Sequence, residues 1–482
     1  SETGEIGYVA EVIGTILYVT GLPSVKPQEI VYFETGEIGQ AVSVTREHVE
    51  VLAYSKKLPR AGVKVTRSNQ VLQVGVGPEL LGHIVDPLGF ALEQETTFKL
   101  KETRPVNITP PGIENRRKIT RACETGVAMV DLIIPLGRGQ RELVIGDRQT
   151  GKSIFLLKAA LTQARAGSVC IYAAVGKKKQ DIKLIEQFFV ENKVMQNIII
   201  VAATSEDALS NIYLCPYTAM MMAEYFRDNG KDVLVVLDDL TTHAKFYREI
   251  ALLGRRFPGR NSYPGDIFYT HARLLERAGN FVNKDGTETS ITCLPVVETV
   301  QGDLAGYIQT NLMSITDGHI YFDVDLFVNG KRPAINPFLS VTRVGRNTQT
   351  SLKRTLNREI LSFLTLYEKV KTFVHFGTEL NESVKATLST GERIYAFFDQ
   401  APHSVTPLSM QLLLFAMLWG NMWNSKTVLE MKKDMDKLVD LYQKNQAFQK
   451  QVDTMLAGAN TFNELLNTIL KQTETFKKYI TT

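Results

Sequence analysis

Gly146-Asp147-Arg148-Gln149-Thr150-Gly151-Lys152-Ser153 satisfies every fixed position of the pattern GxxxxGK[ST], and it lies between an apolar run and a helical one. Glu142-Leu143-Val144-Ile145 reads as a short buried strand entering the segment. Ile154 to Ala160 reads as a helix leaving it. A strand, a glycine-rich turn and a helix in that order make a phosphate-binding loop. Backbone N–H groups exposed at the glycines and the positive end of the helix surround an anion, Lys152 adds a point charge, and the Ser153 hydroxyl can ligate Mg²⁺. Gly146, Asp147, Arg148, Gln149, Thr150, Gly151, Lys152 and Ser153 are therefore candidate contacts for ATP or ADP. The loop also fixes the fold of its surroundings as an α/β core with a mostly parallel sheet.

Outward from this loop the chain shows three textures, and its 482 residues exceed what one compact core accommodates. In residues 1–89 short β-branched runs alternate with turn residues: Tyr8 to Val12, Ile16 to Val19, Glu29 to Phe33, Ala41 to Val44, Val49 to Tyr54, Val63 to Thr66 and Val71 to Val76. That spacing predicts a small β-barrel or sandwich. Residues 90–349 alternate continuous apolar strands with helical stretches. Val169 to Val175, Ile198 to Ala202, Val233 to Leu237 and Ile291 to Val297 lack the in-out alternation of a half-exposed strand, as strands covered on both faces should. Residues 350–482 lose the strand signal. Ile360, Phe363, Leu364 and Tyr367 fall on one helical face, as do Met431, Met435, Leu438 and Tyr442, so the last third is predicted to be a helical bundle.

Composition narrows the function classes. A net charge of +4 is small for this length and argues weakly for nucleic acid. Cys123, Cys170, Cys215 and Cys293 lie far apart without CxxC spacing, which suits reduced core thiols in a cytosol-like compartment better than a disulfide frame or a metal site. The most apolar stretch, Leu412 to Trp419, is well short of a membrane span, and no signal peptide is visible.

A Mg-nucleotide site needs a second half, a carboxylate at the end of a neighbouring strand that holds the metal through its water shell. Asp238 ends the run Val233-Leu234-Val235-Val236-Leu237 and is the candidate; Asp239 follows it. An Asp pair in this position also suits the N-cap of a following helix.

These residues, with several longer segments, resemble the alpha subunits of F-type ATP synthases and their rotary relatives. The segments are Pro135 to Ile145 running into Gly146-Asp147-Arg148-Gln149-Thr150-Gly151-Lys152, Pro258-Gly259-Arg260 with Tyr263-Pro264-Gly265-Asp266, Leu274-Leu275-Glu276-Arg277-Ala278, Ser314-Ile315-Thr316-Asp317-Gly318, Arg332-Pro333-Ala334-Ile335-Asn336 and Ser340-Val341-Thr342-Arg343-Val344-Gly345. The resemblance implies an N-terminal barrel, a nucleotide-binding core and a C-terminal helical domain, in agreement with the three textures. It also implies that the chain binds ATP without hydrolysing it. Catalytic beta subunits of the family carry a glutamate after the strand-ending glycine, whereas alpha subunits carry glutamine. Here Gly176 is followed by Lys177-Lys178-Lys179, and a charged ammonium cannot accept a proton from water. Lys177 departs from the alpha pattern as well; it either touches phosphate or marks a different local backbone, and a lysine run is also a common solvated loop.

By the same resemblance Phe327, Arg332 and Gln400 sit near the adenine, with Pro402 replacing a second glutamine. Glu298 lies near the nucleotide and Mg²⁺. Arg343 reaches from this subunit into a neighbouring catalytic site as an arginine finger, and Gly345 permits the tight turn that presents it. On residue type alone, Phe327 and Arg332 would be packing and surface residues, and Arg343 a surface charge.

The implied partners are beta-type subunits alternating with this chain in a three-plus-three ring, a central gamma-type shaft and a peripheral stalk. The implied location is the cytoplasmic side of an energy-transducing membrane, or the cytoplasm, with the membrane reached only through the complex. Asn261-Ser262 in the shaft-facing loop, the added charge of Arg346 and the short stretch before the barrel differ from the usual pattern, which keeps open an ATP-driven rotary motor not coupled to proton flow. Two other readings share the core fold. A hexameric RNA-translocating ATPase would need basic and aromatic clusters, in which the barrel is poor. A self-sufficient secretion-type ATPase would need the missing glutamate.

Overall fold

The computed structural model describes residues 5–93, 96–283, 285–375 and 381–481. They pack as two units. The first comprises the described residues of Ser1–Lys118, Arg138–Ile145 and Gln163–Asp317; the second comprises those of Ile119–Gly137, Gly146–Thr162 and Gly318–Thr482.

The first unit opens with a closed barrel of β1 (Ile6–Ile13), β2 (Ile16–Thr20), β3 (Glu29–Phe33), β4 (Ile38–Val44), β5 (Val49–Ala53) and β6 (Lys64–Val71), in the spatial order β1-β2-β5-β4-β3-β6. Alternating inward residues fill it: Val9, Leu17, Val19, Val31, Ala41, Val51 and Val65 are all buried. Buried Glu29 takes a two-pronged contact from Arg67, at 2.9 and 3.0 Å, across the β3–β6 pair. The sequence reading expects a further barrel strand at Val71 to Val76, and here the structure differs. Pairing of β6 with β1 already closes the ring, so no edge remains to add to. The strand Gln73–Val76 pairs instead with Glu102–Pro105, antiparallel and outside the barrel.

The same unit carries the core sheet. Its strands lie in the order Leu143–Gly146, Glu288–Glu298, Val233–Asp238, Val169–Lys177, Ile198–Thr204 and Ile84–Val85. Neighbours from Glu288–Glu298 onward run parallel, and Gly279–Val282 adds an antiparallel partner to Glu288–Glu298. All residues of Ile198–Thr204 and Val233–Asp238 are buried, as the unbroken apolar runs require. Parallel register pairs Ala174 with Asp238, so Lys177 and Asp238 emerge at the same, C-terminal edge of the sheet. That edge is where open α/β sheets place their ligands.

The second unit is mainly helical. Ser351–His375, Glu382–Phe398, Leu408–Trp419, Val428–Lys444, Gln446–Ala457, Phe462–Lys471 and Thr473–Thr481 are helices. Their starts follow side-chain capping: Asn381, Thr427, Asn445 and Thr461 each accept from a backbone N–H of the first turn, and Thr427 with Glu430 forms a reciprocal pair. Ile360, Leu364, Tyr367, Met431, Met435, Leu438 and Tyr442 are buried on the predicted faces, and Phe363 packs edge-on against Trp419. Leu408–Trp419 is buried almost throughout, from Met410 to Leu418. No helix among the described residues is long and apolar enough to cross a membrane. All four cysteines are buried thiols.

Candidate functional site

The phosphate loop, residues 146–153, belongs to the second unit; strand Leu143–Gly146 runs into it and helix Lys152–Arg165 leaves it. Two features make the sequence adopt this turn. Gly151 stands at φ 97°, a region open to glycine and strained for other residues. At Gly146 a Cβ would come within 2.5 Å of the Phe322 carbonyl oxygen, so only glycine lets the two backbones approach. Gln149 takes the left-handed conformation at φ 61°. Thr150 Oγ1 donates to the Asp147 carbonyl at 2.7 Å and ties the loop to itself. The Lys152 ammonium is buried and donates to the carbonyls of Gly146 at 2.8 Å and Asp147 at 2.5 Å, which holds it at the mouth of the loop. Ser153, Arg148 and Gln149 are exposed. The expected loop, with its strand before and helix after, is thus present in form.

The three expected base-side residues are brought together in the same unit. The Arg332 guanidinium stacks on the Phe327 ring 3.6 Å from its centroid and donates to the Phe327 carbonyl at 2.8 Å. Gln400 N donates to the Arg332 carbonyl at 3.0 Å. The Gln400 side chain is engaged on both ends: Oε1 accepts from Ala128 N at 2.9 Å, and Nε2 donates to the Gly126 carbonyl and to the Thr406 hydroxyl at 3.1 and 2.9 Å. It borders a cavity of about 390 Å³ also lined by Ala128, Asp399, Gln411, Lys432 and Asp436, within the size range of small-molecule sites. Lys158, on the helix after the loop, went unnoticed in the sequence. Burial draws its ammonium down to about 8, against the opposing pull of Asp399. A lysine on an apolar helix face was the only hint.

Arg343 is exposed, just after the short strand Val341–Thr342. Its mounting is tied by hydrogen bonds and a close backbone approach. Thr342 Oγ1 donates to Pro135 O at 2.9 Å and accepts from Gly345 N at 3.2 Å. Gly345 is required for close approach, since a Cβ there would lie 1.7 Å from the Pro135 oxygen. Its φ is not positive, so the reason differs from the tight turn read in the sequence. Buried His319 beside it is held below the ordinary imidazole range by desolvation first, with the Arg343 charge adding to it and a bond to Leu339 O opposing it.

The carboxylates lie in the first unit. Asp239 caps helix Leu240–Leu253, its Oδ1 accepting from Thr242 N at 2.6 Å. Burial lifts its carboxyl to about 6, with Lys177 pulling against that. Asp238 does no capping. Its Oδ1 lies 2.8 Å from the Lys177 ammonium, and its Oδ2 accepts from Tyr172 OH at 2.7 Å. Lys177 also lies 3.8 Å from Asp239 Oδ2. Burial alone would lower the Lys177 pKa, but Asp238, Asp239 and Glu298 together raise it above the ordinary value. Lys178 and Lys179 are exposed and begin the next helix, so the lysine run divides into one half-buried, ion-paired residue and two solvated ones. The expected Mg²⁺-facing carboxylate therefore has both oxygens on protein donors, and no cluster of three or more His, Cys, Asp or Glu suited to a metal occurs among the described residues. The Ser153 hydroxyl is exposed and able to ligate a metal, while each Asp238 oxygen keeps a second lone pair for a metal-bound water.

Residues 126–342 match the ATP synthase alpha/beta family nucleotide-binding domain, and residues 349–476 match the C-terminal domain of ATP synthase alpha/beta chains. The mitochondrial ATP synthase subunit alpha of Neurospora crassa is 39% identical over 476 residues, covering 95% of this chain and 86% of that one. The ATP synthase subunit alpha of Rickettsia bellii is 39% identical over 422 residues, covering 86% of this chain and 82% of that one.

Proposed function

The chain belongs to the ATP synthase alpha/beta family, and on that premise we propose that it is the alpha-type, nucleotide-binding and non-catalytic subunit of a hexameric rotary ATPase head. One observation carries the non-catalytic part. The residue after Gly176 is a lysine whose ammonium lies 2.8 Å from Asp238, where hydrolysis in this fold needs a group able to take a proton from water. The nucleotide-binding part rests on the loop, with Lys152 held among loop carbonyls, ready to exchange them for phosphate oxygens, and on the exposed Ser153 hydroxyl, which offers a ligand to Mg²⁺ arriving with the triphosphate. Phe327, Arg332 and Gln400 frame the base side. The partners we infer are beta-type subunits alternating with this chain, each receiving Arg343 into its site, around a gamma-type shaft.

The test is equilibrium binding. Lys152→Ala removes a charge-assisted contact and is expected to weaken ATP binding by about 1.5–3 kcal/mol, roughly ten- to a hundredfold in Kd. Isothermal titration of the purified variant measures it. An unchanged Kd with the variant folded would remove the loop from the site.

A further inference from the structure

Phe327, Arg332 and Gln400 lie in the second unit, as residues 146–153 do. Gln400 is the residue of the three equipped to read a base, because an amide presents a donor and an acceptor together, the pattern that picks out adenine at N6 and N7. Here that amide is committed. Both Nε2 hydrogens are used, on the Gly126 carbonyl at 3.1 Å and the Thr406 hydroxyl at 2.9 Å, and Oε1 accepts from Ala128 N at 2.9 Å. Turning the amide toward a base breaks three hydrogen bonds. What it keeps is one lone pair on Oε1, an acceptor that the amino groups of adenine and guanine meet alike. Two residues on, the Pro402 side chain offers neither donor nor acceptor. Arg332 supplies a surface instead. Its guanidinium lies 3.6 Å from the Phe327 ring centroid, and Nη1 donates to the Phe327 and Lys331 carbonyls, both at 2.8 Å. A flat guanidinium held this way, on a half-buried residue, is a plate on which a base stacks. Any N–H it still offers meets acceptors such as N3 and N7, which adenine and guanine share.

We propose that the base subsite of this chain takes purine nucleoside triphosphates by stacking and does not tell adenine from guanine. The inference rests on the nucleotide-binding reading above and adds to it the class of nucleotide held. Discrimination needs polar groups that one base satisfies and the other leaves unpaired. A free amide facing the base would separate the two purines by roughly five- to a hundredfold. With the amide closed on Gly126, Thr406 and Ala128, that source of selectivity is gone, whereas every base has a face to stack. Contacts of the loop with the triphosphate are common to both nucleotides and cancel in the ratio.

Isothermal titration of the purified full chain with ATP, GTP, ITP and inorganic tripolyphosphate, all in one Mg²⁺ buffer, tests it. The expected Kd values for the three nucleotides fall within about threefold of one another, and each is at least about fivefold tighter than that of tripolyphosphate, which has no base to stack. A preference of about tenfold or more for ATP over GTP, or the reverse, would overturn the proposal. Tripolyphosphate binding as tightly as the nucleotides would overturn it too, while leaving the phosphate loop as an anion site. Arg332→Ala should weaken ATP and GTP by the same factor, at least about fivefold, and leave tripolyphosphate unchanged; a loss confined to one nucleotide would show that Arg332 reads the base and would count against the proposal. Failure of every ligand to bind, tripolyphosphate included, would instead refute the nucleotide-binding reading itself and take the proposal with it.

Discussion

Replacing Arg343 by alanine is expected to lower ATP hydrolysis by the assembled complex roughly 10³- to 10⁵-fold, while this chain's own nucleotide binding and its incorporation into the complex stay nearly unchanged. The asymmetry follows from where the residue is mounted. Arg343 is exposed, and the segment beneath it is fixed by Thr342 and Gly345 against Pro135, so removing the guanidinium leaves the mounting intact. In the proposed assembly, a guanidinium on such a mounting would meet charge developing on a transferring phosphoryl group with little reorganisation at the moment of reaction. Arg343→Lys should restore little, because an ammonium lacks the planar, multi-donor fork. The measurement is the ATPase rate of a reconstituted complex of verified stoichiometry. Near-normal turnover in an intact Arg343→Ala complex would make the residue a surface charge.

The second large effect concerns stability. Arg277 is 1% exposed and donates through Nε and Nη2 to Glu224 at 2.9 and 2.6 Å, and through Nη1 to the Val106 carbonyl at 2.9 Å. It joins the end of helix Ile267–Leu275 to helix Leu209–Asp228 and to the segment following strand Glu102–Pro105. Truncating one partner strands a buried charge. Arg277→Ala is expected to destabilise the chain by about 3–5 kcal/mol, and so is Glu224→Ala. The double replacement by leucine and methionine should cost far less than the sum of the two single changes, since the charges leave together. Denaturant midpoints of the four proteins decide it. Additive losses would show that the pair is not coupled.

How much of this was legible in the sequence depends on whether the information is local. The phosphate loop is contiguous, and its glycines answer backbone demands at fixed offsets, so strand, turn and helix could all be placed. Buried parallel strands declare themselves as unbroken apolar runs, and Ile198–Thr204 and Val233–Asp238 were found that way. Partnering is less local. The run from Val71 to Val76 has the composition of a strand, but nothing in it says that β6 and β1 have already closed the barrel. Arg277 reads as a charge at a helix end; its burial depends on Glu224, 53 positions away. The three lysines after Gly176 look alike in sequence. Only the register of two neighbouring strands singles out Lys177 and sets it on Asp238. Gly345 reads in the sequence as a tight-turn residue, whereas the structure needs its missing Cβ for the close approach of Pro135, which is a tertiary fact.

The central claim is that this chain binds nucleotide and does not turn it over, with an ammonium at the position after Gly176. Incubating the isolated chain with radiolabelled ATP, removing free nucleotide and assaying the bound label over hours tests it most directly. The expected result is ATP retained uncleaved, with retention lost in Lys152→Ala. Steady multiple turnover by the native chain, abolished by Lys152→Ala, would contradict the claim and make this chain an ATPase in its own right.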